Sequence, residues 1–154
     1  IALYAVGADF QNIIRQYASF GVGIPLTGRV LVDQVPKEIL DAGGVDGTTS
    51  VQPYDAGVDT PANKAFVAAF RKMHNADPNL LSAEAYEATR VLLDSIKRAG
   101  SADPVKIRDA LEQTKLKSIL NTTIEFDDHN LAHNNAVITT IKGGKVEILG
   151  LSGT

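Results

Sequence analysis

The strand–helix alternation of the first sixty residues constrains this chain more than any other feature. Ile1-Ala-Leu-Tyr-Ala-Val6 is a short apolar run closed by Gly7, the pattern of a buried strand. Phe10, Ile13, Ile14, Tyr17 and Phe20 then recur at threes and fours, one face of an amphipathic helix. Asp9 stands either at its N-cap or in its first turn, where a negative charge suits the helix dipole. Gly21 and Gly23 stop it. Residues 24–32 read as a second strand interrupted at Thr27-Gly28-Arg29. Pro36 opens a short helix closed by Gly43-Gly44, residues 48–52 read as a third strand, and Pro53 to Gly57 form a loop. Strands alternating with helices at these lengths make βαβ units, so an α/β fold with a parallel sheet and flanking helices is expected.

The remainder changes character. Thr60-Pro61 is an N-cap with proline at the first helical position, and Ala65, Phe66, Ala69, Phe70 and Met73 line one face of the helix that follows. It fades at Asn75-Ala76-Asp77-Pro78. Residues 83–99 carry the clearest helical stripe (Ala85, Tyr86, Thr89, Leu92, Leu93, Ile96), with Ser82 as cap and Gly100 as stop. Asp103-Pro104 begins a further helix to about Lys115. Period two then takes over. Residues 122–126 and 136–141 are strands, Lys142-Gly-Gly-Lys145 is a hairpin turn, and Val146 to Leu149 pair back. The one junction between long elements is Asp77 to Ser82.

Composition removes several classes of function. The chain has 154 residues, a formal net charge of -3 and no cysteine. A nucleic-acid binder is expected to be basic, and this chain is not. Without cysteine there is no disulfide framework, thiolate metal site or cysteine nucleophile. No apolar run reaches the length of a membrane-spanning helix. A chain that opens inside a strand is expected to be a processed or shortened form.

His129 and His133 have the i, i+4 spacing of paired metal ligands. Their context, Asp-Asp-His-Asn-Leu-Ala-His-Asn-Asn, is turn-like, so solvated loop histidines are the favoured reading. His74 falls at the polar end of a helix. The glycines at 21, 23 and 28 do not match the dinucleotide fingerprint, and neither a phosphate-cradling loop nor a Gly-x-Ser-x-Gly elbow occurs. No catalytic residue and no metal ligand is therefore assigned.

In open α/β sheets, ligands sit beyond the carboxyl ends of the parallel strands. That rule selects Tyr4 to Asp9, Thr27 to Leu31 and Gln52 to Asp55. Arg29 is the cation among them. Its guanidinium either forms a bidentate pair with a ligand carboxylate or sits on the rim, solvated or paired with Asp33.

These same strand ends carry a resemblance. Val6-Gly7-Ala8-Asp9 followed by Ile14-Arg15-Gln16, then Ile24-Pro25-Leu26-Thr27-Gly28 and Pro36-Lys37-Glu38-Ile39-Leu40, resemble successive segments of type I periplasmic solute-binding proteins of ABC transporters, in the Leu/Ile/Val-binding class. Pro61-Ala-Asn-Lys-Ala-Phe-Val-Ala-Ala-Phe70 is similar to that family's "PANKAFVAAY" helix. Ala85-Tyr86-Glu87-Ala88 through Ile96-Lys-Arg-Ala-Gly100, and Thr123-Ile-Glu-Phe-Asp127, continue the series. The chain resembles the family's C-terminal portion.

The resemblance implies an incomplete two-lobe "venus-flytrap" fold. Residues 1–80 would be a second-lobe α/β segment, 81–128 a first-lobe segment after a hinge crossover, and 129–154 a returning β-hairpin. It implies a binding protein, not an enzyme, with no cofactor. The protein would be exported to the periplasm, with a small-molecule solute and a membrane permease as partners. Sheet edges and helix faces left uncovered at this length imply a homodimer.

The ligand-binding residues it implies are Val6, Gly7, Ala8, Gly28, Arg29, Val30 and Tyr54. Amino-acid binders of the family place an acidic residue where Val30 stands, and many place an aromatic where Val6 stands. A buried ammonium without a carboxylate is costly. An apolar or aromatic carboxylate is therefore favoured over an amino acid. The alternatives are a ligand-sensing regulatory domain of the same fold and a small flavodoxin-like α/β enzyme.

Overall fold

The computed structural model describes residues 1–133 and 135–152. In chain order the elements are β1 (Ala2–Tyr4), α1 (Gly7–Ser19), β2 (Thr27–Arg29), a 3-10 turn (Val32–Gln34), α2 (Lys37–Asp41), β3 (Thr49–Gln52), α3 (Pro61–His74), α4 (Leu80–Ala99), α5 (Pro104–Glu112), β4 (Leu116–Lys117), β5 (Thr123–Phe126), β6 (Ala132–His133), β7 (Val137–Lys142) and β8 (Lys145–Leu151). They divide into two compact units, residues 1–53 with 136–154, and residues 54–135.

In the first unit β1 and β2 pair in parallel, Ala2 with Thr27, Leu3 with Gly28 and Tyr4 with Arg29. The apolar run at 24–32 is thus not a strand broken at Thr27-Gly28-Arg29; those three residues are the strand. Gly28 is required there because β1 passes so close. A Cβ at this position would lie 2.6 Å from the Leu3 carbonyl oxygen, and the backbone has φ +111°.

β3 lies beside β2 without a regular ladder. The Thr49 N–H donates to the Leu26 carbonyl at 3.1 Å. Ser50 Oγ accepts the Val30 N–H at 3.1 Å and donates to the Gly28 carbonyl at 3.3 Å. The partners advance together along both segments, so β3 follows the direction of β2. Its regular ladder is antiparallel, to β7, and β7 pairs antiparallel with β8. The turn at Gly143-Gly144 is held by Asp46, whose carboxylate accepts both glycine N–H groups at 2.8 and 3.0 Å. Under this sheet Phe10 and Ile14 of α1 pack with Leu26, Val30, Val32, Val35, Ile39, Val45 and Ile141. The i, i+4 spacing of Phe10 and Ile14 turns both toward that core.

The second unit is three helices and the small antiparallel sheet β4-β5-β6. Thr60 caps α3 as the sequence predicts, its Oγ1 accepting the Asn63 N–H at 3.0 Å. The cap of α4 is Asn79 rather than Ser82; its carboxamide oxygen accepts the Ser82 N–H at 2.9 Å, so Ser82 lies one turn inside. Asp103 caps α5 through the N–H groups of Val105 and Lys106. That helix ends at Glu112, short of Lys115.

The sequence pattern places a junction at 77–82, whereas the chain divides at 53/54 and 135/136. The rings explain it. Phe66 of α3 stacks on Tyr86 of α4 with centroids 4.5 Å apart and meets Tyr54 edge-on at 6.2 Å. The Thr60 hydroxyl also donates to the Ile119 carbonyl. These contacts join α3 to the elements after it.

Arg71 and Asp77 clamp the end of α3, where Asn75 takes the left-handed conformation. The hydrogen bond from the Arg71 guanidinium holds the Asp77 carboxyl below its ordinary value of 3.8. A carboxyl lowered on folding contributes stability that is present above its unfolded value and lost as pH falls through the folded one. Both groups are exposed, so the effect is small. The urea midpoint of Asp77→Asn is expected to lie below that of the wild type at about pH 6, and the gap to close as the pH falls below the ordinary carboxylate range. A gap that is unchanged by acid would refute the clamp.

Candidate functional site

The carboxyl ends of β1 and β2 place the sequence-selected residues of the first unit. Burial alternates along β1. Leu3 and Ala5 are half-buried against the core, while Tyr4 and Val6 stand 77% and 54% exposed. Val6 is extended (φ -139°, ψ 156°) and is the N-cap of α1, with no side-chain cap bond. Gly7, the first helical residue, has φ +60°. Its Cβ space is open, so the backbone angle and not crowding calls for glycine. Ala8 is exposed and Asp9 lies in the first turn, the second of its two expected positions.

A groove of about 510 Å³ runs here between the end of β1 and one face of α1. Tyr4, Val6 and Ile13 give it apolar walls, and Asp9, Asn12 and Gln16 give it polar ones. The helical residues fall at i, i+3, i+4 and i+7, one side of α1.

Parallel register sets Arg29 directly beside Tyr4. The guanidinium carbon lies 5.8 Å from the centre of the Tyr4 ring, and Nη1 donates to the Tyr4 hydroxyl at 3.4 Å. This is a cation–π contact with a weak hydrogen bond at its edge. The Arg29 Nε is enclosed and has no acceptor. An enclosed donor without a partner is costly, about 1–3 kcal/mol.

Two expected site residues lie elsewhere. Val30 is fully buried among Phe10, Ile14 and Val45, so it presents no surface to a solute. Arg29 is half-buried at the strand end, and the next position turns Val30 into the core. Tyr54 belongs to the second unit and is 4% exposed. Its hydroxyl donates to Asn63 Oδ1 at 3.0 Å, and burial, with the charges of Asp55 and Asp77, pushes the phenol up and away from ionisation. Asn63 Nδ2 donates in turn to the carbonyls of Ala56 and Val58. Tyr4 and Asp9 fall within the strand-end segment selected from the sequence but not among the seven named ligand-binding residues, and Asn12, Ile13 and Gln16 fall in neither.

Among the described residues no group of three or more His, Asp or Glu side chains is placed to hold a metal. The His133 side chain, and positions 134, 153 and 154, lie outside the described residues. No helix among those described is long and apolar enough to cross a membrane.

Parallel strands backed by helices, with a groove at their carboxyl ends, define an α/β binding fold of the type I periplasmic class. The chain belongs to the periplasmic binding protein family, whose model matches residues 1–145. The solved structures it resembles are solute-binding proteins of ABC transporters. One, from R. palustris, is in complex with benzoate. It is 23% identical, with a TM-score of 0.78 over 97% of this chain and 42% of that one. A leucine-binding protein, LivK, from Thermotoga maritima is 27% identical, with a TM-score of 0.75 over 97% of this chain and 44% of that one. An amino acid ABC transporter substrate-binding protein from Pseudomonas fluorescens is 19% identical, with a TM-score of 0.82 over 99% and 44%. The chain thus spans less than half the length of the structures it matches. No curated protein matches it.

Proposed function

We propose that this chain is part of an exported solute receptor that captures a small organic acid and delivers it to the permease of an ABC uptake system. It binds its solute and leaves it chemically unchanged. Family membership supports the receptor role. The observation that carries the choice of solute is Arg29, a cation at the carboxyl end of a parallel strand pair that rests on Tyr4, a wall of the groove. Val6, Gly7 and Ala8 supply a nearby surface of apolar side chain and open backbone, and Gly28 lets the two strands approach. This combination suits an apolar or aromatic carboxylate. The benzoate complex among the similar structures agrees with that chemistry.

Calorimetric titration of the purified protein with benzoate tests it. Arg29→Met is expected to weaken binding about 30-fold or more, the ~2 kcal/mol of a charge-assisted hydrogen bond. Equal affinity for the two proteins would refute the role of Arg29.

A second reading rests on Asp9. Its carboxylate lines the groove with Tyr4 and Val6, where a ligand ammonium would find a counter-charge. On that reading the solute is an α-amino acid. Leucine would then bind and benzoate would not, and Asp9→Asn would abolish the leucine response.

A further inference from the structure

We infer that Tyr4 is the specificity-determining residue of this site, selecting a flat aromatic acid over a saturated acid of the same size by offering its ring as a stacking face beside the Arg29 guanidinium. The inference rests on the reading of Arg29 as the carboxylate receptor. Three observations meet at this side chain. Tyr4 is an aromatic residue on a strand, yet it is 77% exposed, so its ring is not spent on the core. It lines the groove that Arg29 itself does not line, and it touches Arg29, so it joins the cation to the space a solute would enter. Its hydroxyl also accepts from Nη1, which leaves the guanidinium resting on the ring rather than free in solvent.

The geometry separates two jobs in one residue. The hydroxyl and the ring face over which the guanidinium lies hold Arg29, a positioning role that acts on every carboxylate alike. The open part of the ring acts on the body of the solute. An aromatic solute gains an offset-stacked or edge-on contact there beyond simple burial of area, and a saturated ring does not. Val6 and Ile13, at 54% and 40% exposed, supply apolar contact of a kind that does not distinguish the two.

Parallel titrations with benzoate and cyclohexanecarboxylate test this. The two share charge and ring size and differ in the π-system. The wild type is expected to bind benzoate about 3- to 10-fold more tightly. Tyr4→Leu is expected to bring that ratio to about one while both acids still bind through Arg29. Tyr4→Phe, which keeps the ring and drops the hydroxyl, is expected to keep the ratio and to weaken both acids by a few-fold. A merely structural role would change both affinities together and leave the ratio alone. If Tyr4→Leu preserves the benzoate preference, the inference is overturned while the Arg29 reading stands. If the wild type binds neither acid, both fall together.

Discussion

Replacing Asn63 with leucine is expected to remove about 4 kcal/mol of folding stability, the combined effect of several buried partners left unsatisfied. Asn63 is fully buried. Its Oδ1 accepts the Tyr54 hydroxyl proton at 3.0 Å, and its Nδ2 donates to the carbonyls of Ala56 and Val58 at 3.1 and 2.9 Å. Leucine matches the side chain in size and supplies none of these bonds. Two main-chain carbonyls and a phenolic O–H would then be left without partners in a poorly hydrated place, each costing about 1–3 kcal/mol. The loop they hold, Pro53 to Val58, is the connection from β3 to α3. Urea unfolding of the wild type, Asn63→Leu, Tyr54→Phe and the double variant measures the effect. The doubly substituted protein is expected to lose less than the sum of the two single losses, because both changes remove the same hydrogen bond. A loss below about 1 kcal/mol for Asn63→Leu would mean that water satisfies the loop instead.

Sequence signals located the helices of this chain because helix ends carry local chemistry. Thr60 before Pro61, Gly100 after Ala99, and Asp103 before Pro104 all stand where their types predict. The error at the start of α4 has the same origin. Asn79 and Ser82 are both good caps three residues apart, and only the fold decides which one faces the open N–H groups.

Strands are less legible in the sequence because their partners are distant. Gly28 looks like a break in an apolar run, yet it sits mid-strand because the Leu3 backbone crowds it, and nothing local reports that crowding. β4 and β6 are two residues each, too short for any period.

The site divides along the same line. The carboxyl-end rule led to Val6, Gly7 and Arg29 from element order alone. Tyr4 falls inside the segment that rule selects, but its place beside Arg29 comes only from the register that pairs them. Val30 fails because one position along a strand reverses the face, and its neighbour Arg29 already occupies the outer one. Asn12, Ile13 and Gln16 require the helical phase of α1 relative to β1, which periodicity gives only to within the width of an apolar stripe.

Gly28→Val is expected to destabilise the protein by about 3 kcal/mol or more and to abolish acid binding with it. Two costs add. At φ +111° a β-branched residue is strained whatever the space around it. Its Cβ would also come 2.6 Å from the Leu3 carbonyl oxygen, a backbone atom that yields only if β1 leaves β2. Separation of those strands undoes the pairing of Leu3 with Gly28 and of Tyr4 with Arg29, so the cation and the aromatic ring part company. The stability loss and the binding loss therefore have one cause. Gly23 is the control, since its Cβ space is empty and its backbone is not left-handed. Gly23→Ala is expected to leave stability unchanged or raised by up to about 1 kcal/mol through the unfolded chain. Urea midpoints measure both, and amide exchange at Leu3 and Tyr4 locates the damage. If Gly28→Val unfolds within about 1 kcal/mol of the wild type, the close approach of β1 and β2 cannot be what holds Arg29 against Tyr4.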